Sequence, residues 1–583
     1  MIDCAPMRVF EASRFATLAA TLTALSAPLS AKADDATKPV DPTPAESKPA
    51  PAPAEPPPAT GGASPWVESP GRRHEGAERG EHPREHEHIY DRGLVRVTYS
   101  DGNFYFRAPH DELVIWPQAR MQVDGYAFAG PGVSQYQRTD AAAPYQGLAT
   151  NLAFKRFTLE MSGTLGKHIF FNFGGNFGPT STDASENPQY KAGPYQAYVG
   201  WEPFIESLRF MVGQFPTPFT MENIANTRYT SFMEFSQTVR SVAAPYNMDL
   251  GAMALGSVGR HHLLDWQVGV FGGDGANHAS PDNRVDLMGR VIVRPFSGMK
   301  GPISKAHIGG SFRWGERGTG CGLPSGNPGN CVSYDAPAMV TPGGYQYWVP
   351  YYGKNESLTH IIPASTQLGA AFELYVPFER FDLRGELVYV HEGRRESTGG
   401  SYFKTDAFGS LKGLSYYAQV DVWPWGTPRI GGEPGVYARQ RAPHHSESLA
   451  DPAIQVALRW EQILLNYDSI DQSPAGTMRG TIDTVPGTGG AVNGTNIHVN
   501  ALSAAVTFWA TKVVRVTGQY TWFNFPGTGP ASYTPTGASQ NPSGPTPDGS
   551  QYNQAQAPGQ RYGAYDGSAH DLHEFSVRFQ VAF

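Results

Sequence analysis

The last twelve residues of the chain, LHEFSVRFQVAF at positions 572–583, decide how the rest is read. Side chains of a β-strand alternate between its two faces. That alternation puts Phe575, Val577, Phe579, Val581 and Phe583 on one face and Glu574, Ser576, Arg578 and Gln580 on the other. One face suits hydrocarbon and the other suits water, along a segment of about ten residues, the strand length of a membrane barrel.

Working outward, the preceding segment obeys the same rule. Val514, Val516, Gly518, Tyr520 and Trp522 oppose Arg515, Thr517, Gln519 and Thr521. Near the other end, Phe157, Leu159 and Met161 oppose Arg156, Thr158, Glu160 and Ser162, and Met121 and Val123 oppose Arg120, Gln122 and Asp124. A terminal Phe on such a strand resembles the recognition signal of outer-membrane barrels. From about Ile115 onward roughly sixteen such segments are expected, joined alternately by short turns and long loops. The turns fall near 165–167, 203–206, 258–261, 377–379 and 510–512, and the loops near 314–364, 391–412, 467–496 and 526–570. One stretch, 424–451, is too long for the tight turn that the count requires there. Trp201, Trp423, Trp425, Trp509 and Trp522 fall near strand ends, where amphipathic rings suit a membrane interface.

Composition agrees with an all-β membrane barrel. The chain holds 66 glycines, 28 tyrosines and 31 phenylalanines, its mean hydropathy is negative, and after residue 33 it has no apolar run of helix-spanning length. Only a closed barrel crosses a bilayer with that pattern, because alternation cancels in the average. A formal charge of -8 argues against nucleic acid as a partner. Residues 1–33 read as a signal peptide: Arg8 and Arg14, an apolar run from Phe15 to about Leu29, and Ala31-Lys32-Ala33 before the expected cleavage. Residues 34–90 are Pro/Ala-rich, then charged and His-rich, and are expected to be a disordered periplasmic segment. His82, His86 and His88 there lack a second ligand-bearing segment, so no metal or cofactor is expected. Cys321 and Cys331 share a Gly/Pro/Asn loop in a chain bound for an oxidising compartment, where a loop disulfide is the expected use.

Catalysis finds no support in the pattern. There is no Ser-centred elbow and no HExxH, His168, His261 and His262 are scattered near turns, and GGDG at 272–275 precedes no helical pattern. The long segment from Gln214 to Asn247 is expected to fold into the lumen and narrow it. Its Arg228 and Arg240 are offset by Glu222 and Glu234.

Further runs carry a family resemblance. They include SLRFMVGQFPTPFTMEN, SFMEFSQTVRSV, NMDLGAMALG, GLVRVTYSDGNFYFRA, FKRFTLEMSG, WQVGVFGGDG, GRVIVRPF and VTFWATKVVRVTGQYTWF, in that family's order. Together, from about Gly93 onward, they resemble the phosphate-selective porin O and P family. The resemblance implies an outer-membrane porin, a homotrimer of sixteen-stranded barrels contacting lipid and lipopolysaccharide, with loop three in the lumen. It also implies arginines that guide small anions such as phosphate or polyphosphate. Parity nominates Arg120, Arg156, Arg209, Arg290, Arg294, Arg313 and Arg384 as pore-lining anion binders, with Arg156 inward and its neighbour Lys155 outward. Arg290 and Arg294 share a face and would form part of a basic ladder. The competing role for each is an ion pair with an inward acid such as Asp124, Glu160, Asp382 or Glu386. A structural or adhesive barrel with little conductance is the alternative function.

Overall fold

A computed structural model describes residues 95–100, 102–130, 150–178, 193–204, 207–244, 247–277, 284–318, 339–344, 346–348, 351–352, 359–397, 407–426, 433–437, 452–471, 495–526 and 571–583. The expected signal peptide, the segment 34–90, Cys321 and Cys331 lie outside these residues.

After a short hairpin, Arg96–Ser100 with Asn103–Arg107, sixteen antiparallel strands follow. They are β1 (Leu113–Ala129), β2 (Asn151–Leu165), β3 (Ile169–Asn176), β4 (Gly193–Phe204), β5 (Leu208–Pro216), β6 (Met248–Val258), β7 (Leu264–Phe271) and β8 (Asp286–Val293). Then come β9 (His307–Arg317), β10 (Thr359–Pro377), β11 (Phe381–Ser397), β12 (Ala407–Trp425), β13 (Ala453–Asp471), β14 (Thr495–Trp509), β15 (Val514–Asn524) and β16 (Asp571–Ala582). Each pairs with the next, and β16 returns to β1 from His573 opposite Ala129 to Ala582 opposite Arg120, which closes the barrel.

Alternation operates as read from the sequence. In β16, Phe575, Val577 and Phe579 are 42–48% exposed, whereas Glu574 and Arg578 are fully buried. The segment 424–451 hides no extra strand among its described residues, and the count is sixteen.

Two departures from strict alternation follow from what must be covered inside. Toward the long-loop end, the inward face of β11–β15 turns apolar at Val388, Val390, Leu411, Ile463, Leu465, Ile497, Val499 and Phe523. A small hairpin from the β9–β10 loop, Met339–Val340 with Gln346–Trp348, packs on that face and buries Tyr347 and Trp348. Wall and loop thus remove each other's apolar surface from water. The tryptophans also divide. Trp201 and Trp425 face outward, but Trp423 and Trp509 point inward and stack 6.4 Å apart, contrary to the expected interface position. Alternation accounts for Trp423, because its neighbour Val422 takes the outward place.

A basic residue on the hydrocarbon face is expected to cost about 2–4 kcal/mol at mid-bilayer. Val577→Arg should therefore lower the denaturant midpoint of the barrel refolded in phospholipid vesicles. An unaltered midpoint would mean that this face does not meet lipid.

Candidate functional site

Loop three, residues 217–247, leaves β5 and crosses the interior. Its two ends are stapled by Asn223, whose amide donates to the carbonyl oxygens of Thr217 (3.0 Å) and Asn247 (3.1 Å). Thr220 takes a positive φ of 74° and caps the single turn Met221–Ile224, its hydroxyl accepting from the Asn223 amide. Beyond Tyr229 the chain forms a second turn, Thr238–Ala243.

Side chains of the opposite wall hold this backbone. The amide of Glu222 donates to Glu386 of β11 at 3.0 Å, and that of Met221 donates to the same carboxylate. The Met233 amide donates to Gln519 of β15 at 2.9 Å, the Gln237 amide to Glu461 of β13 at 2.5 Å, and Thr238 meets Ser415 of β12 at 2.8 Å. Loop three is thus fastened by wall acceptors that satisfy amides a loop would otherwise leave unpaired.

Ion pairs complete the attachment. Arg156 grips Glu234 with two bonds of 2.8 and 2.7 Å, and Arg578 reaches Glu234 at 2.7 Å while clasping Asp124 through Nε and Nη2. Arg228 bonds Glu160 of β2 at 3.1 Å, and Arg459 bonds Glu222 at 3.3 Å. Burial alone would raise the Glu234 carboxyl, but Arg156, Lys155 and Arg578 outweigh it and hold it well below the usual carboxylate range. Burial does prevail at Glu222, whose carboxyl is raised despite Arg459 and the Ser236 hydrogen bonds. The influence of Lys155 corrects the expectation that only Arg156 acts inward. A register shift between Gln122 and Val123 leaves Lys155 as an extra residue in β2, and a bulge of this kind breaks parity.

Six of the seven nominated arginines lie in barrel strands and Arg294 follows the end of β8, in differing company. Arg290 clasps Glu373 through Nε and Nη2 at 2.8 and 2.5 Å and also donates to the Gly435 carbonyl. Arg294 pairs with Asp265 at 2.7 Å and Glu433 at 2.9 Å. The ladder expected from these two is therefore neutralised by carboxylates. Arg313 pairs with Glu392, and Arg384 with Asp382 and Asp421 at 2.8 Å each. Arg209 donates to the Tyr437 carbonyl at 3.3 Å. Arg240, on the second turn of loop three, has Nη1 without a hydrogen-bond partner.

Arg120 differs. It is 2% exposed, donates from Nη1 to the Thr227 hydroxyl, and lies 5.1 Å from the centre of the Tyr195 ring. Its Nε and Nη2 have no hydrogen-bond partner. Among the described residues no carboxylate pairs with it. Arg515 is a second such group. It donates to the carbonyls of Thr230 (2.5 Å) and Thr227 (3.4 Å) and to Gln580 (3.0 Å), and rests over the Trp509 ring. Arg459, Arg515 and Arg578 were absent from the nominated set, although each alternates with outward apolar neighbours and was legible by parity.

A cavity of about 170 Å³ lies beside loop three, with Arg120, Asn172, Tyr195, Arg209 and Tyr437 on its walls. Its floor includes the described part of the β12–β13 connection, which enters the barrel interior. Glu433 there holds Arg294 and His307 (2.8 Å), and Tyr437 packs its ring 6.5 Å from that of Phe215. Residues 433–437 of the stretch 424–451 thus supply lumen contacts.

Residues 133–317 match the model of the family described as phosphate-selective porin O and P. Over those residues the chain resembles that family. The match to a porin family and the closed sixteen-strand barrel together support an outer-membrane channel. No curated protein matches. Among solved structures the chain is similar to the outer-membrane-expressed OmpT of Vibrio cholerae, at 7% identity over 81% of this chain and 99% of that one, with a TM-score of 0.41. It is also similar to the outer-membrane channel DcaP of Acinetobacter baumannii, at 8% identity over 82% and 99%, TM-score 0.41. A third is Salmonella typhi OmpF in complex with daunomycin, at 8% identity over 83% and 99%, TM-score 0.39.

Breaking a buried ion pair costs on the order of 3 kcal/mol. Glu234→Gln leaves Arg156 and Arg578 short of a carboxylate, so hydrogen exchange of the amides of residues 232–238 should accelerate by roughly tenfold or more. Because the folded carboxyl is depressed, the clamp is fully present above the ordinary glutamate value of about 4.3 and is lost as pH falls through the lower folded value. Unchanged exchange in the variant would remove the clamp.

Proposed function

We propose that the barrel is a passive diffusion porin with a preference for small anions, acting as a homotrimer in outer-membrane lipid and lipopolysaccharide after export by residues 1–33. The activity is diffusion, with no catalytic step and no cofactor. One observation carries the preference: among the described residues Arg120 is buried in the lumen with no carboxylate partner and two nitrogens without a hydrogen bond, and Arg515 shares Thr227 with it. A guanidinium stays charged at any working pH and presents several donors in a fixed fork. Paired arginines such as Arg290 contribute little net field, because their carboxylates cancel them at short range. A small number of unpaired groups in a narrow bore therefore sets the sign of the local potential, whatever the net charge of -8.

The alternative is a structural barrel with little conductance, and one observation favours it. Loop three, the 339–348 hairpin and residues 433–437 all occupy the interior.

Purified protein in planar bilayers should give stepwise ohmic conductance that changes more on exchanging chloride than on exchanging potassium. Arg120→Gln should reduce the anion-over-cation permeability ratio by roughly threefold, an effect of under about 1 kcal/mol. The joint variant Arg290→Gln with Glu373→Gln removes a neutral pair and should leave the ratio unchanged. Equal response to both ions would sink the anion preference, and absence of conductance would favour the structural reading.

A further inference from the structure

The cavity beside loop three has two kinds of wall, and the combination indicates which anions it suits. On the polar side stands Arg120. Its Nε and Nη2 form one edge of the guanidinium, the edge that accepts a planar carboxylate with two parallel bonds. Within this same barrel Arg290 uses that edge on Glu373 and Arg578 uses it on Asp124. In Arg120 both nitrogens of the edge are buried and have no hydrogen-bond partner. The other walls are mixed: polar side chains such as Asn172 and Asn223 alternate with an apolar and aromatic part that includes Phe170, Met211, Phe215, Ile224 and Tyr229.

Charge on the remaining cavity residues limits the anion further. Arg228 is engaged by Glu160, and Arg384 by Asp382 and Asp421. Glu222 and Glu433 also reach the cavity. A tetrahedral, strongly hydrated anion such as inorganic phosphate would need donors on several sides to replace its water. Here the cationic donors Arg228 and Arg384 are already committed to acids, Glu160, Glu222 and Glu433 would repel a multiply charged anion, and the remaining donors are neutral amides and hydroxyls. A monoanion with its charge at one end and an apolar body at the other loses much less. Size agrees: a space of about 150 Å³ is known to take up one benzene ring, close to the 170 Å³ here.

We propose that this cavity is a subsite for organic monoanions bearing one aromatic or comparably apolar ring, of which a benzoate-type carboxylate is the simplest. The carboxylate pairs with the Nε and Nη2 edge of Arg120 and the ring lies among Phe170, Met211 and Tyr229. The proposal rests on the anion-preferring reading and narrows it from small anions in general to ring-bearing carboxylates over phosphate.

The test is block of chloride current through the reconstituted full-length channel at fixed ionic strength, with benzoate, acetate and phosphate as probes. Benzoate should block at a roughly tenfold lower concentration than acetate or phosphate, the scale of one aromatic contact. Arg120→Gln should remove that block. Met211→Ser, which leaves the guanidinium in place and removes only apolar wall, should weaken benzoate block severalfold and leave acetate unchanged. If the channel prefers anions yet benzoate and acetate block alike, or phosphate blocks best, the ring subsite is overturned and the anion reading survives. If benzoate still blocks Arg120→Gln channels that conduct normally, the assignment to Arg120 is overturned. Loss of any preference between chloride and potassium would overturn both readings together.

Discussion

In hydrocarbon a backbone N–H or C=O finds no water, so a sheet that crosses a bilayer must pair every strand on both sides. The seam between β16 and β1 satisfies the last two edges, from His573 opposite Ala129 to Ala582 opposite Arg120. That requirement has a cost inside. A closed sheet of sixteen strands encloses more space than inward side chains alone fill, which leaves either an aqueous bore or room for inserted chain. Here three pieces of chain enter it: loop three, the hairpin at 339–348 and residues 433–437. The closure that makes the wall possible therefore also creates the need for everything that narrows the lumen.

What holds those inserts is electrostatic and local. Inward acids and arginines cannot be buried singly without a large desolvation penalty, so they meet in pairs and triads or bind backbone amides. Glu386 takes two loop amides, Glu461 takes one, and Glu234 sits between Arg156 and Arg578. In this arrangement most of the lumen charges are positioning groups. Their fields cancel within a few ångströms, whereas Arg120 and Arg515 have no carboxylate partner among the described residues.

The division between what was legible in the sequence and what was not follows the same line. Alternation is a local property, so the outward Phe575, Val577 and Phe579, the inward Arg515 and Thr517, and the sixteen strands could all be read from neighbouring residues. Pairing is not local. Glu373 lies 83 residues beyond Arg290, and Asp124 lies 454 before Arg578, so nothing in either segment reveals that its arginine is neutralised. Lys155 was misread because one extra residue in β2 upsets the parity on which its outward placement rested. Trp423 and Trp509 were placed at the membrane interface by type and position along the strand, yet alternation at Val422 already opposed the first of these. The inward apolar face of β11–β15 has no local explanation at all; only the hairpin that covers it, from a different loop, gives it a reason.

That covering also bears on where a solute passes. Toward the long-loop end, Tyr347 and Trp348 seal the β11–β15 side, and loop three is tied to β11, β12, β13 and β15 by the bonds described above. The cavity is lined by loop three, by Arg384, Tyr417 and Gln419 of β11 and β12, and by residues of β1–β5, including Arg120, Asn172, Tyr195 and Arg209. Strands β1–β5 run at 8 to 17 residues, against 15 to 19 for β10–β14. Inserted chain is fastened to both groups of strands, through Glu386, Ser415 and Glu461 on the longer ones and through Arg120, Arg156, Glu160 and Arg209 on the shorter ones, and the cavity is the space these attachments leave open.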